Sequence, residues 1–356
     1  MAEPIKLRYH YLDKLRVFLI CVVIFHHTAI AFGASGGWYY KSSVLWKGWN
    51  QALMSLVMGI DQSYFMALFF FISALLMPAS YERKGVFAFL KDRAIRLGIP
   101  LLIYIFFLNP AIVGLVGELK GVAVDWGQLF GHYHTPGPMW FVLTLIVFEL
   151  LYVGYRTLHP RSKTPTPKDF PSVAKLIVFM LTAGVVAFLI RLEYPVGKSW
   201  FGLQFGYFPL YVGMYWAGLI AARQRWLEQI SLRKAKVWLA IVVVAIVAFA
   251  LFCYLNRESG GSDAGGWNRL AFAYAMWEPI LCVGISYFLL AVFKHWGNRP
   301  NRFFRAQSAD ITWLILCIRF SSYVGPIGCN NWGADCGAAS VWFASLQSCQ
   351  HSSPPI

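Results

Sequence analysis

The first apolar segment of the chain carries an arginine and a histidine whose types and spacing suit a chemical site. Arg16 and His27 are eleven residues apart, which at about 100° per residue returns to nearly the same face of an α-helix. At about 1.5 Å per residue, they lie roughly 16 Å apart along the helix axis. An imidazole of near-neutral pKa suits proton transfer, and a guanidinium binds phosphate through paired hydrogen bonds. The spacing therefore predicts a base and an anion-binding cation on one helix face.

The adjacent histidines lie inside an apolar segment, which strengthens this hypothesis. His26 and His27 fall in the far half of a segment that is long enough to enter a bilayer. A membrane-embedded histidine is costly unless it faces protein or water, so it indicates a functional site by default. Hydrogen bonding to a neighbouring helix is the structural alternative. His26 points about 100° away from His27 and is the second candidate base.

Further charged residues in or beside apolar segments are candidate site residues. Arg93 and Arg96 share a predicted helix face, where they either bind an anion or mark the cytoplasmic side. Asp13 precedes Arg16 by three residues, a spacing that allows it to orient the guanidinium. Three acids fall within predicted spans, where their cost indicates a polar interior: Asp61, Glu149 and Glu278. The sequence leaves open whether these acids orient His27, bind ligand hydroxyls or pair with another helix.

The composition and the distribution of cations indicate an integral membrane protein of defined orientation. Of 356 residues, 58% are hydrophobic and 13% are charged, against about a quarter charged in a soluble domain. The net charge is +15. Up to residue 305, the N-terminus and every second connection together hold 23 lysines and arginines, whereas the intervening loops hold seven. Because cations accumulate on the cytoplasmic side, the N-terminus is predicted to be cytoplasmic, and nucleic acid is not a predicted partner.

Eight apolar runs predict an all-α fold, a polytopic transmembrane helical bundle within the lipid bilayer. The runs cover approximately residues 17–32, 52–77, 97–116, 139–155, 176–190, 205–222, 237–255 and 270–293. The seven cysteines show no metal-type spacing, and the His132-Tyr133-His134 loop has no acid or thiol nearby. No metal site is therefore predicted.

Four segments in a fixed order carry a resemblance to a known family. L-D-x-L-R followed by ten residues and a histidine opens the first span, and FFFISALL follows at residues 69–76. FAFLKDRAIRLGIPLL and GPMWFVLTLIVFELLY then occupy residues 87–102 and 137–152. Together they resemble the acyltransferase-3 family of polytopic membrane acyltransferases, which has about ten spans. The middle of the chain, residues 176–293, matches in hydropathy alone.

The resemblance implies a reaction and roles for the candidate residues. An acyl group of the acetyl or succinyl class would pass from cytoplasmic acyl-CoA to a hydroxyl of an extracytoplasmic or lipid-linked saccharide. The enzyme would lie in the plasma or inner membrane and would need acyl-CoA as donor substrate, with no permanently bound cofactor. His27 would be the base, and three arginines would hold the phosphates of the donor: Arg16, Arg93 and Arg96.

The C-terminal part departs from this family. Residues 1–305 form the acyltransferase-like domain, whereas residues 306–356 hold four of the seven cysteines and lack the S-Y-x-x-Y-x-x-H-P-like motif of the family. A shift of reading frame is the favoured interpretation, because the LILCIRF tract can be encoded by codons that give Y-F-M-H-P-F in another frame. A divergent tail is the alternative. Translation of the genomic DNA around codon 306 would decide between them.

Two other functions remain open from the sequence. A transporter or flippase would also contain buried ionisable residues and positive-inside loops, although neither internal repeats nor paired broken helices are visible. A degenerate acyltransferase homologue, retained only as a membrane partner, is the third interpretation.

Overall fold

The protein is all-α, as the sequence predicts. A computed structural model describes residues 9–42, 45–159, 167–258 and 260–297. Within these ranges, helices are joined by loops and short helical turns, and β-pairing is limited to one bridge between Trp200 and Leu203. The predicted tail at 306–356 lies outside the described residues.

Ten α-helices follow one another along the described chain. Two short π-helical turns, at Ala94–Gly98 and Tyr104–Leu108, connect α2, α3 and α4 without a break. The helices are α1 (His10–Ala31), α2 (Gly48–Arg93), α3 (Ile99–Ile103), α4 (Asn109–Leu119), α5 (Trp126–His132), α6 (Trp140–Leu158), α7 (Val173–Glu193), α8 (Phe208–Gln224), α9 (Leu232–Leu255) and α10 (Arg269–Trp296).

The helices agree with the eight predicted spans. Seven helical stretches of the described chain are long and apolar enough to cross a membrane. One of them, Gly48–Leu119, covers 72 residues and contains two predicted spans, the second and the third. The sequence therefore located the apolar segments correctly, but it did not show that the second and third are joined by continuous helical structure.

The long helix α2 turns sharply at Gly85. Gly85 has φ +72°, a left-handed conformation that glycine adopts without strain. The rings of Tyr81 and Phe89 lie only 5.7 Å apart, whereas eight residues of straight helix would separate them by about 12 Å. Lys84 Nζ also contacts Asp92 Oδ2 at 2.8 Å across the turn. The turn directs residues 86–93, with Arg93, back towards the bundle.

Helices α2 and α10 form the centre of the bundle. The arm of α2 before Gly85 packs against α1, α8 and α10, and α10 also contacts α7 and α9. Gly218 of α8 allows a close approach to α2, because a Cβ at that position would collide with the carbonyl oxygen of Phe71. In contrast, α9 exposes most of its apolar side chains, including Val243, Val244 and Val247. An exposed aliphatic surface of this kind suits contact with lipid.

Candidate active site

The predicted chemical residues of the first span lie on one continuous helix. Arg16, His26 and His27 all belong to α1, as their spacing requires. The buried face of α1 consists mainly of apolar side chains and includes His26, which is 6% exposed. His27 is half-buried on the neighbouring face, and Arg16 is also half-buried. The helix therefore presents one histidine to the core and the other to a partly open surface.

His26 faces a carboxylate from α2. Its Nδ1 lies 3.9 Å from Oδ2 of Asp61, a separation longer than a hydrogen bond but within the range of an ion pair. The imidazole also stacks on Phe65, with ring centroids 5.1 Å apart. Both partners come from the arm of α2 that packs against α1. The carboxylate of Asp61 thus lies beside His26, whereas the sequence left open whether it orients His27.

His27 lies under an aromatic side chain from the loop between α1 and α2. The indole of Trp38 stacks on the imidazole with centroids 4.0 Å apart and ring planes inclined by 20°. The rings of His26 and His27 meet edge to face at 5.5 Å. The two histidines are therefore in contact, but each has its own environment.

Hydrogen bonds from two other segments hold the loop that carries Trp38. Tyr39 donates its hydroxyl proton to Asn109 Oδ1 at 2.6 Å. The amide nitrogen of Asn109 donates to both the carbonyl oxygen and the hydroxyl of Thr135, each at 3.0 Å. Lys120 Nζ donates to the carbonyl oxygen of Tyr39 at 3.1 Å. The first residue of α4, the residue after α4 and the segment before α6 are thereby connected to the loop that covers His27.

The predicted donor-binding arginines have different environments. Arg93 Nε lies 3.3 Å from Glu149 Oε1 of α6, and its guanidinium is stacked 4.9 Å from the ring centre of Phe89. Arg96 Nε contacts Asp92 Oδ1 at 3.0 Å, and the Arg96 side chain is 63% exposed. Arg93 is therefore part of the bundle structure, whereas Arg96 is accessible to a ligand.

Comparison with known proteins identifies the family. The profile of the acyltransferase-3 family, described as an acyltransferase domain, matches residues 9–323. The chain belongs to the acyltransferase-3 family. Its curated relatives include glucans biosynthesis protein C of Escherichia coli strains K12, O6:K15:H31 and O9:H4. Each is 24% identical over 365 aligned positions, which cover 94% of this chain and 89% of the relative. No solved structure shows a significant match.

The family assignment confirms the resemblance found in the sequence and makes this protein an O-acyltransferase by descent. It also agrees with the helical membrane architecture. Because the matched region starts at residue 9, it includes the whole of α1, with Asp13, Arg16 and both histidines. Asp13 lies in the first turn of α1 and is half-buried.

This acyltransferase contains a buried ion pair that the sequence analysis missed. The side chains of Arg191 in α7 and Glu278 in α10 are 1% and 0% exposed, with Nη2 and Oε2 2.5 Å apart. Arg191 Nε also donates to the carbonyl oxygen of Gly206, and the guanidinium lies about 5 Å from two tyrosine rings. Arg191 directly follows the predicted span 176–190 and is one of the seven lysines and arginines that were assigned to the intervening loops. The position of Glu278 inside a predicted span was the available signal for this ion pair, because a carboxylate buried in a span requires a basic partner.

The three acids that the sequence placed inside spans share one feature in the acyltransferase. Each has a basic partner on a different helix: Asp61 with His26, Glu149 with Arg93, and Glu278 with Arg191. The prediction of a polar interior thus becomes three separate contacts between helices. Of the three, the contact at Asp61 adjoins the candidate base.

Other features of the described residues are separate from the histidines. They contain no group of three or more residues that could hold a metal ion. A cavity of about 960 Å³ opens between α7, α8 and α10, and its lining includes Phe179, Trp216 and Tyr287. The described lining of this cavity contains none of the site residues predicted from the sequence.

Proposed function

We propose that this protein transfers an acyl group of the acetyl or succinyl class from acyl-CoA to a hydroxyl of an extracytoplasmic or lipid-linked saccharide. Family membership supports acyl transfer. The name of the relatives, glucans biosynthesis protein C, supports a saccharide acceptor. The excess of cations on the predicted cytoplasmic side supports an inner-membrane or plasma-membrane enzyme with a cytoplasmic N-terminus.

The observation that carries the proposal is the position of His27. It shares a helix with Arg16, lies near the outer end of α1 and is covered by Trp38 from the following loop. With a cytoplasmic N-terminus, Arg16 is at the side where acyl-CoA is present, and His27 is on the side of the acceptor. Of the two histidines, His27 is the more exposed, because His26 belongs to the packed face and contacts Asp61.

The chemistry requires one base and no additional reactant. A ring nitrogen of His27 accepts the proton of the acceptor hydroxyl while the oxygen attacks the thioester carbonyl carbon. The carbon–sulfur bond then breaks, the acyl group stays on the acceptor oxygen, and the thiolate of coenzyme A takes a proton from the imidazolium. In the second arrangement, His26 would be the base, with Asp61 orienting the imidazole.

The arginines are proposed to bind the phosphates of coenzyme A. Arg16 lies roughly 16 Å along the helix from His27, so the pantetheine arm would extend between them. Arg96 is the most exposed of the three and suits an ionic contact with phosphate. Arg93 would need to share its guanidinium between Glu149 and the donor.

Transport, the alternative from the sequence, gains no support from the buried acids. The argument for transport relied on ionisable residues within spans, and each of these acids has a basic partner on another helix. Pairing with a basic residue on another helix compensates the cost of burying each acid, so no solute pathway is needed to explain these residues.

Transfer of label from acyl-CoA tests the proposed function. Membranes that contain the full chain are incubated with labelled acetyl-CoA or succinyl-CoA and a glucan oligosaccharide, and acylated saccharide is separated and counted. We expect label in the saccharide with the parent chain and about 10²- to 10⁴-fold less with His27→Ala. Binding of acyl-CoA without any transfer would favour the degenerate homologue, and absence of both would contradict the proposal.

A further inference from the structure

We propose that Trp38 is a positioning residue for His27, and that Tyr39, Asn109 and Thr135 form a clamp that holds Trp38 in place. This inference rests on the proposed role of His27 as the base. It assigns a task to an outer-loop tryptophan that the sequence analysis would explain as a bilayer anchor.

Stacking of Trp38 against one face restricts the orientation of the His27 imidazole. The ring centroids lie 4.0 Å apart and the planes are inclined by 20°, which places the indole against the face of the His27 ring. The ring nitrogens lie at the edge of the imidazole; Nδ1 is inaccessible to solvent, so Nε2 is the nitrogen that would meet an acceptor hydroxyl. A general base must lie within about 2.6–3.2 Å of the proton donor in a defined orientation. A ring fixed in one plane meets this requirement more often than a freely rotating one.

The loop that carries Trp38 needs an external support. Two glycines, Gly36 and Gly37, precede the tryptophan, and Gly36 has φ +138°, a conformation unfavourable for other residues. Such a segment has high conformational entropy when it is not held. The support comes from the next residue, Tyr39, whose hydroxyl donates to fully buried Asn109.

The clamp is closely packed as well as hydrogen-bonded. All the side-chain polar atoms of Asn109 are used: the oxygen accepts from Tyr39, and the nitrogen donates twice to Thr135. A Cβ at Gly137 would collide with the Tyr39 hydroxyl and would come within 3.2 Å of Asn109 Oδ1. Three segments distant in sequence therefore converge on the tyrosine next to Trp38.

Replacement of Trp38 should reduce turnover rather than donor binding. In Trp38→Leu, we expect kcat to fall about 2- to 10-fold, the range of an aromatic stacking contact, with an unchanged KM for acyl-CoA. Trp38→Phe retains an aromatic face and should recover most of kcat. The matched control is Trp49→Leu, because Trp49 follows the same loop and is 89% exposed.

Removal of one clamp atom should act through Trp38. Tyr39→Phe deletes the hydroxyl that donates to Asn109 and leaves the ring in place. We expect a smaller fall in kcat than in Trp38→Leu, and no additional fall when both substitutions are combined. Tyr133→Phe is the control, since Tyr133 is an exposed tyrosine in the same outer region.

The test compares four proteins: the parent, Trp38→Leu, Trp38→Phe and Tyr39→Phe. For each, kcat, donor KM and thermal stability in detergent are measured with His27 present and in the His27→Ala background. We expect Trp38→Leu to lower kcat only when His27 is present. An unchanged kcat in Trp38→Leu, or an equal fall in the His27→Ala background, would overturn the positioning role. Full activity of His27→Ala itself would instead contradict the role of His27 as the base in the proposed function, so the two failures are distinguishable.

Discussion

Arg191 and Glu278 form an ion pair between α7 and α10 that is almost completely inaccessible to solvent. The two residues are 87 positions apart in the chain, and the guanidinium lies near the faces of Tyr207 and Tyr274. The pair connects two helices that both extend towards the predicted outer side. Because the charges are enclosed by protein, each depends on the other for compensation.

Removal of one member of this pair should destabilise the protein strongly. Arg191→Leu or Glu278→Leu leaves an uncompensated buried charge, at a cost of about 3–5 kcal/mol. The double substitution Arg191→Leu/Glu278→Leu should lose less stability than either single one, because no charge remains unpaired. Thermal unfolding in detergent, followed by loss of monodisperse protein, measures the effect.

An exposed ion pair near the end of α7 provides the control. Glu193 Oε1 lies 3.2 Å from Lys198 Nζ, with both side chains at least half exposed. Glu193→Ala should leave the melting temperature almost unchanged, because solvent screens such pairs. A double Arg191→Leu/Glu278→Leu variant as unstable as the worse single variant would contradict the compensation argument.

Replacement of the two histidines should have unequal effects on acyl transfer. His27→Ala removes the proposed base, which contributes typically about 10²- to 10⁴-fold in rate, and should leave acyl-CoA binding largely intact. His26→Ala should be milder because His26 belongs to the packed face of α1. Transfer is measured at matched protein levels, with donor affinity recorded separately. If His26→Ala abolishes transfer while His27→Ala retains it, the base is the histidine beside Asp61.

Substitutions of the three arginines should affect acyl-CoA binding and thermal stability to different extents. Arg16→Ala should weaken acyl-CoA binding by about 1.5–3 kcal/mol if one charged hydrogen bond is lost. Arg96→Ala should also weaken binding and should not alter thermal stability, because its side chain is exposed. Arg93→Ala should lower stability, since it removes the partner of buried Glu149. Equilibrium binding of labelled acyl-CoA and melting in detergent distinguish the three. Donor affinity unchanged in both Arg16→Ala and Arg96→Ala would refute the phosphate site.

Cysteine labelling should place the first loop and the connection after α6 on opposite sides. In the first loop, Lys41 is a better labelling position than Ser42, because Ser42 is 5% exposed and its amide donates to the carbonyl oxygen of Ala31. Lys168→Cys is the second exposed site. In a background without native cysteines, a membrane-impermeant reagent applied to intact cells should label Lys41→Cys alone. Labelling of Lys168→Cys alone would reverse the orientation.

The sequence predicted those parts of the site that depend on one helix. Arg16, His26 and His27 share α1 because the periodicity of an α-helix fixes their relative directions. The same reasoning could not identify the partners of Asp61, Glu149 and Glu278. It also could not show that the loop at Trp38 folds over His27, because that contact depends on hydrogen bonds to residues of α4 and of the segment before α6.

By itself, the sequence determined the helical class, the positions of the apolar segments and the family, and it predicted the orientation from the distribution of cations. Apolar length, charge counts and motif order are properties of consecutive residues, so they can be read without knowledge of the fold. The tertiary structure decided which charges are compensated: Arg191 is a loop cation in the sequence and a buried partner of Glu278 in the bundle. The energy of a buried charge depends on atoms within a few ångströms, and helix packing brings those atoms from distant parts of the chain.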